Sequence, residues 1–124
     1  MKPILVAVGV AQSRRRLVEI LIDAGFKVVE ADSGVHALTL AHVTPPKLIL
    51  ISIVMPDING LQLAAQFQED LRGETPRMIL LGSIPPIGLH DEPLASLVNG
   101  YLNLDVSPLE LLTTVRSQLS MGGR

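Results

Sequence analysis

Ser52 stands at the C-terminal end of an apolar run, in LILISIVMPDING (residues 48–60), where a tight loop follows a strand. A serine hydroxyl stays protonated near neutral pH and becomes a nucleophile only beside a base. No base is evident in the sequence around it. Asp57, in the following loop, reads as a turn residue hydrogen-bonding its own backbone, with a metal ligand as the sharper alternative. Ser83, His90 and Asp91 are the residue types of a hydrolase triad, yet no GxSxG elbow holds the serine and the histidine adjoins the aspartate in sequence. His36 and His42 are spaced unsuitably for sharing a metal on one helix face and read as surface or packing residues. Arg14, Arg15 and Arg16 form a basic run whose plain reading is a solvated helix face and whose sharper reading is a phosphate or partner contact. Gly9 alone makes neither a P-loop nor a dinucleotide fingerprint.

Short apolar runs alternating with segments of helical period must position these residues, as in a parallel sheet covered on both faces. Ile4 to Val8 is the first expected strand, followed by a helix from Ser13, its expected N-cap, to Ala24, with Gly25 ending it. Lys27 to Ala31 is the second strand. Gly34 to His42 is a helix with Val35, Leu38 and His42 on its apolar stripe, closed by Pro45-Pro46. Leu48 to Ile53, apolar on both faces, is expected at the middle of the sheet. Gly60 opens a helix carried by Leu61, Leu63, Ala64, Phe67 and Leu71, and Gly73 ends it. Met78 to Leu81 is the fourth strand. After a loop with Pro85-Pro86 comes a short helix capped by Asp91 with Pro93 in its first turn. Tyr101 to Leu104 is the fifth strand. Ser107-Pro108-Leu109-Glu110 carries the signature of a capping box before a helix to about Leu119. One domain (1–120) with a frayed tail (121–124) is expected, folded as an α/β three-layer sandwich. Its five-stranded parallel sheet has the flavodoxin-like order 2-1-3-4-5, and its crevice lies at the C-terminal ends of strands one and three.

Composition narrows the function. The chain has 124 residues, no cysteine, and ten basic against twelve acidic side chains, for a net charge of −2. It offers no general electrostatic attraction to nucleic acid. Phe26, Phe67 and Tyr101 are too few for a base-stacking platform. No apolar run reaches membrane-spanning length and no signal-peptide layout opens the chain, so the expected address is the cytoplasm.

Taken in order, ILVAVGVAQSRRRLVEIL, GFKVVEADSGVHAL, LILISIVMPDING and YLNLDVSPLELL resemble the receiver domains of response regulators along almost the whole chain. The resemblance implies a Mg²⁺-binding acidic pair after the first strand, where this sequence has Val8 and Gly9. It implies a phosphoacceptor aspartate where Ser52 stands. It also implies a hydroxyl residue at the end of strand four, where motif alignment places Leu81 and counting from Ser52 places Gly82. The strand-five lysine it implies is Leu104, and the proline after that lysine is Asp105. A receiver without these groups has no hard oxygen ligands for a cation and no charge to stabilise phosphoryl transfer. The expectation is therefore a pseudo-receiver, not an enzyme, with no metal or cofactor and with a site that has become a small piece of core. Without the proline, the Leu104–Asp105 peptide is expected to be trans. Tyr101 holds the place of the family's switch aromatic, and its plain reading is a half-buried tyrosine with its hydroxyl in water. The resemblance further implies a protein partner, or a second copy of the chain as a homodimer. That partner would meet strand five and its flanking helices, where Leu89, Leu94, Leu97, Leu109, Leu112 and Val115 fall. The alternative from the same resemblance is a small molecule regulating the domain from the crevice.

Overall fold

A strand buried on both faces must be apolar along its buried length, and three of this protein's strands meet that demand over residues 4–7, 48–51 and 78–81. The structure is a computed structural model and describes residues 2–83 and 98–122. β1 (Ile4–Ala7), β3 (Leu48–Ser52) and β4 (Arg77–Gly82) form the middle of a parallel sheet of order β2-β1-β3-β4-β5, with β2 (Val28–Ala31) and β5 (Gly100–Asn103) at its edges. The expected order and the central place of β3 both hold.

Side chains alternate between two cores, as the two-residue strand period requires. Ile4, Val6, Leu48, Leu50, Ile79 and Leu81 face Leu17, Leu21, Leu111 and Val115 of α1 (Ala11–Asp23) and α4 (Pro108–Gly122). Leu5, Ile49, Ile51, Met78 and Leu80 face Ala37, Ala41, Leu63 and Phe67 of α2 (Gly34–Val43) and α3 (Gly60–Asp70). Truncating any one of the large, fully buried side chains to alanine would cost about 2–5 kcal/mol.

Several local expectations are corrected. Ser13 does not cap α1, which begins two residues earlier at Ala11 after Val10, an N-cap with no side-chain hydrogen bond. Gly25 does end that helix, at φ +96. The buried stripe of α2 is Gly34, Ala37 and Ala41, while Val35 and His42 are exposed. The close approach of that helix to the sheet favours small residues over the larger ones. α3 starts with a capping box that the sequence reading passed over: Asn59 Oδ1 accepts from Gln62 N–H at 2.9 Å, and Gln62 Oε1 accepts from Asn59 N–H. Ser107 Oγ accepts from Glu110 N–H at 3.1 Å, as expected, and α4 continues past Leu119 to Gly122. The loop around Pro85-Pro86 and the helix expected from Asp91 lie outside the described residues, with Leu89, His90, Leu94 and Leu97.

Candidate functional site

Parallel register brings the C-terminal ends of the strands to one edge. Ala7 aligns with Ile51, Ser52 with Leu81, and Gly82 with Asn103. A crevice of about 220 Å³ opens there, lined by Val10, Ser52, Ile53, Val54, Gly82, Ser83 and Leu104. The structure thus unites Ser52, Gly82 and Leu104 and leaves three expected companions outside. Val8 and Leu81 are fully buried in the core beneath α1 and α4. Gly9 lies under the loop after β3, where a Cβ would come 3.0 Å from Pro56 Cδ. Of the two strand-four positions left open by the sequence, Gly82 lines the crevice and Leu81 does not. The expectation of a site filled as core therefore fails in part, because the crevice remains open above that core.

Ser52 is 3% exposed, and its hydroxyl donates to Val54 O at 2.9 Å. That bond uses the only proton the side chain has. No charged side chain appears among the described residues lining the crevice, and no group of three or more His, Cys, Asp or Glu able to hold a metal occurs among the described residues. The described residues contain no cis peptide, so Leu104–Asp105 is trans.

Gly82 shapes one wall. A Cβ there would lie 2.6 Å from the Tyr101 hydroxyl and 3.0 Å from Ile53 Cδ1. The tyrosine ring is therefore turned inward over the glycine, and burial raises its pKa above the ordinary phenol value. This corrects the picture of a hydroxyl simply standing in water.

The arginine run is likewise not a solvated face. Arg14 Nη1 donates to Val8 O at 2.8 Å while its Nε meets Glu30 Oε1 at 3.0 Å, so one guanidinium ties the β1–α1 loop to β2. Arg16 Nη2 donates to Val106 O at 2.5 Å, which fastens α1 to the β5–α4 loop. Only Arg15 of the three is exposed. No helical periodicity signals such ties, because the acceptors lie on other segments and two of them, Val8 O and Val106 O, are backbone carbonyls.

Asp57 neither closes its own turn as its main contact nor stands free for a metal. Its Oδ1 accepts from Gly34 N–H at 2.8 Å and its Oδ2 from Val35 N–H at 3.0 Å. The carboxylate thus caps α2 from another element, where the helix dipole favours negative charge. The Gly34 bond, then the Val35 bond, hold its pKa below the ordinary carboxylate value. Gly34 is required for this approach, since a Cβ would come 2.3 Å from Ile58 Cγ2 and 3.3 Å from Asp57 Oδ1. Because the folded pKa is depressed, the stability contributed is present above the unfolded pKa of about 3.9 and lost as pH falls through the folded value. Asp57→Asn should therefore melt below the parent at neutral pH, and the gap should close as pH drops below about 4. Thermal melts across pH 2–7 measure it; a gap independent of pH would contradict the cap.

At the opposite end of the sheet a larger hollow of about 380 Å³ is lined by Lys2, His42, Glu69, Asp70, Arg72 and Glu74 among others. His42 Nε2 lies 3.6 Å from Asp70 Oδ2, both on the open surface of this hollow. The charges are mixed in sign and no group in it is positioned as a nucleophile. His36 pairs with Asp32 at 3.4 Å, well away from His42, so the two histidines share nothing. No helix among the described residues is long and apolar enough to cross a membrane.

Comparison with known proteins agrees with this fold. The family model of the response regulator receiver domain matches residues 4–116. An uncharacterized 14.6 kDa protein from the sodA1 3′ region of Leptolyngbya boryana is 33% identical over 96 residues, covering 77% of this chain and 73% of that protein. The response regulator receiver protein CpdR of Brucella abortus is 39% identical over 69 residues, 56% of this chain and 58% of CpdR. The chain spans only 44% of the length of the transcriptional regulatory protein CusR of Escherichia coli, to which it is 30% identical over 102 residues. Among solved structures, chemotaxis protein CheY4 of Vibrio cholerae superposes with a TM-score of 0.88 at 23% identity, covering 96% of this chain and 99% of that one. A CheY-like receiver domain protein of Methanospirillum hungatei JF-1 also gives 0.88, at 20% identity, over 99% and 97%.

Proposed function

The chain belongs to the response regulator receiver domain family of two-component signalling, and from that premise we propose that it is a pseudo-receiver, a protein-interaction module that works without phosphorylation. The carrying observation is the crevice, whose described lining is uncharged and whose residue at the phosphoacceptor position, Ser52, has its proton engaged with Val54 O. Phosphoryl transfer depends on positioning and on cations that stabilise the transferring group. Val8, Gly9, Ser52, Gly82 and Leu104 supply neither metal ligands nor a cation at the positions where the family would have them. No conformational population is then shifted by a phosphoryl group, and the partner reads a permanently presented surface in the cytoplasm. In the scheme that follows from the family, that surface takes in β5 and its flanking helices, with Tyr101 at its edge and Leu109, 77% exposed, as its open apolar residue. Leu112 packs largely against the core and contributes little.

Incubation with acetyl phosphate and Mg²⁺, followed by intact-mass measurement, is the test. An unchanged mass and no Mg²⁺-dependent change in melting are expected. A phosphate on Ser52 would end the proposal.

A second reading, regulation by a small molecule, has one observation in its favour: the crevice is open, concave and mostly apolar. A ligand seated beside Ser52 and required for partner binding would favour it.

A further inference from the structure

The mouth of the crevice carries two valines that remain exposed. Val10 is 57% exposed and Val54 is 74% exposed, and both also line the pocket. Apolar side chains therefore run from the pocket lining onto its exposed rim. A molecule that only filled the pocket would touch the inner sides of those two side chains and leave their outer faces in water. An occupant that extends beyond it would cover them.

We propose that this mouth is a docking site for a protein segment that inserts one uncharged apolar side chain between Val10, Val54 and Leu104. The inference rests on the reading that the partner is recognised without phosphorylation, and it moves the principal contact from the β5 side of the molecule to the strand ends. Size fits a single anchor. At about 220 Å³ the pocket lies below the range of roughly 300–1,000 Å³ usual for drug-sized ligands and above the roughly 150 Å³ that holds one benzene ring. A leucine, methionine or phenylalanine side chain is of that order. Charge complementarity selects the same class, because an ionic anchor would be desolvated against the described lining, which is uncharged, without a partner there. An apolar anchor in a pocket, ringed by contacts that exclude water, is also how binding energy concentrates at protein interfaces.

Selection of random displayed peptides against the full chain provides the probe, and an enriched peptide is then synthesised for binding measurements. Enriched peptides should share one leucine, isoleucine, methionine or phenylalanine, and the synthetic peptide should shift the amide NMR signals of Val10, Ser52, Val54, Gly82 and Leu104. Val54→Asp, at an exposed position that should leave melting unchanged, and Val10→Asp, which gives α1 a better N-cap and should not lower melting, should each weaken binding at least about tenfold, as should aspartate in place of the anchor. The proposal is overturned if no such peptide is enriched, if the shifts map elsewhere, or if neither rim variant changes affinity. It is overturned too if benzyl alcohol, a neutral one-ring probe, binds at the same signals as tightly as the peptide and is indifferent to Val54→Asp, which would make the pocket a small-molecule site. Phosphate uptake from acetyl phosphate is read separately, so loss of the underlying pseudo-receiver reading would be told apart from failure of the docking site.

Discussion

Ser52→Asp should lower stability by roughly 1 to 3 kcal/mol and leave the protein as inert toward acetyl phosphate as before. The wild-type hydroxyl donates to Val54 O in a position only 3% exposed. A carboxylate has no proton to give that carbonyl, and it would set two acceptors against each other while losing its own water. No cation among the described crevice residues offsets the loss. The guanidinium of Arg14 is engaged by Val8 O and Glu30. Chemical denaturation gives the stability difference and intact mass gives the chemistry. A variant that unfolds like the parent and takes up phosphate would show that the crevice still holds a working acceptor environment.

Gly60→Ala is expected to cost more, at or above the upper end of the 1–3 kcal/mol usual for overpacking. A Cβ at this first residue of α3 would lie 2.4 Å from Ser52 O, 2.9 Å from Ser52 C and 3.0 Å from Ile53 Cα. These are backbone atoms of β3 and its exit, so no side-chain rotation relieves the clash. The helix would have to lift, and its Gly60 N–H would leave Ile53 O, now at 2.8 Å. Gly25→Ala is the control. Its φ of +96 makes it strained, but nothing lies within 4 Å of the added atom. Paired thermal melts should therefore place Gly60→Ala well below Gly25→Ala; the reverse order would mean that the seat of α3 on β3 is looser than these distances require.

The sheet was legible because its information is repeated. Ile4 to Ala7, Leu48 to Ile51 and Met78 to Leu81 are apolar on both faces, and only a central parallel strand requires that. Gly25 and Gly73, both at positive φ, mark helix ends for a local backbone reason that the sequence displays. What stayed hidden depends on contacts between distant segments. Asp57 looks like a turn former until Gly34 and Val35, 23 and 22 residues away, bring their N–H groups to it. Arg14 and Arg16 look like surface charge until their carbonyl acceptors are placed. The candidate site was legible as a set of departures from a family pattern. Its division into buried core, at Val8 and Leu81, and open crevice, at Ser52, Gly82 and Leu104, needed the register of β3 against β4. The exposed rim at Val10 and Val54 gave no signal, because a valine beside a strand reads as more strand.

The position of β1 also bears on the order in which the molecule can assemble. The strand made first lies between β2 and β3, so it has two edges to satisfy and only one neighbour until Leu48–Ser52 exists. On one face, Leu111 and Val115 come from α4, the last described element. During synthesis β1 is therefore a half-paired, fully apolar strand that β3 must find across two intervening helices and a strand, which places its consolidation late and makes it slow. For as long as that wait lasts, Ile4, Leu5 and Val6 are the part of the nascent chain most in need of shelter from other chains.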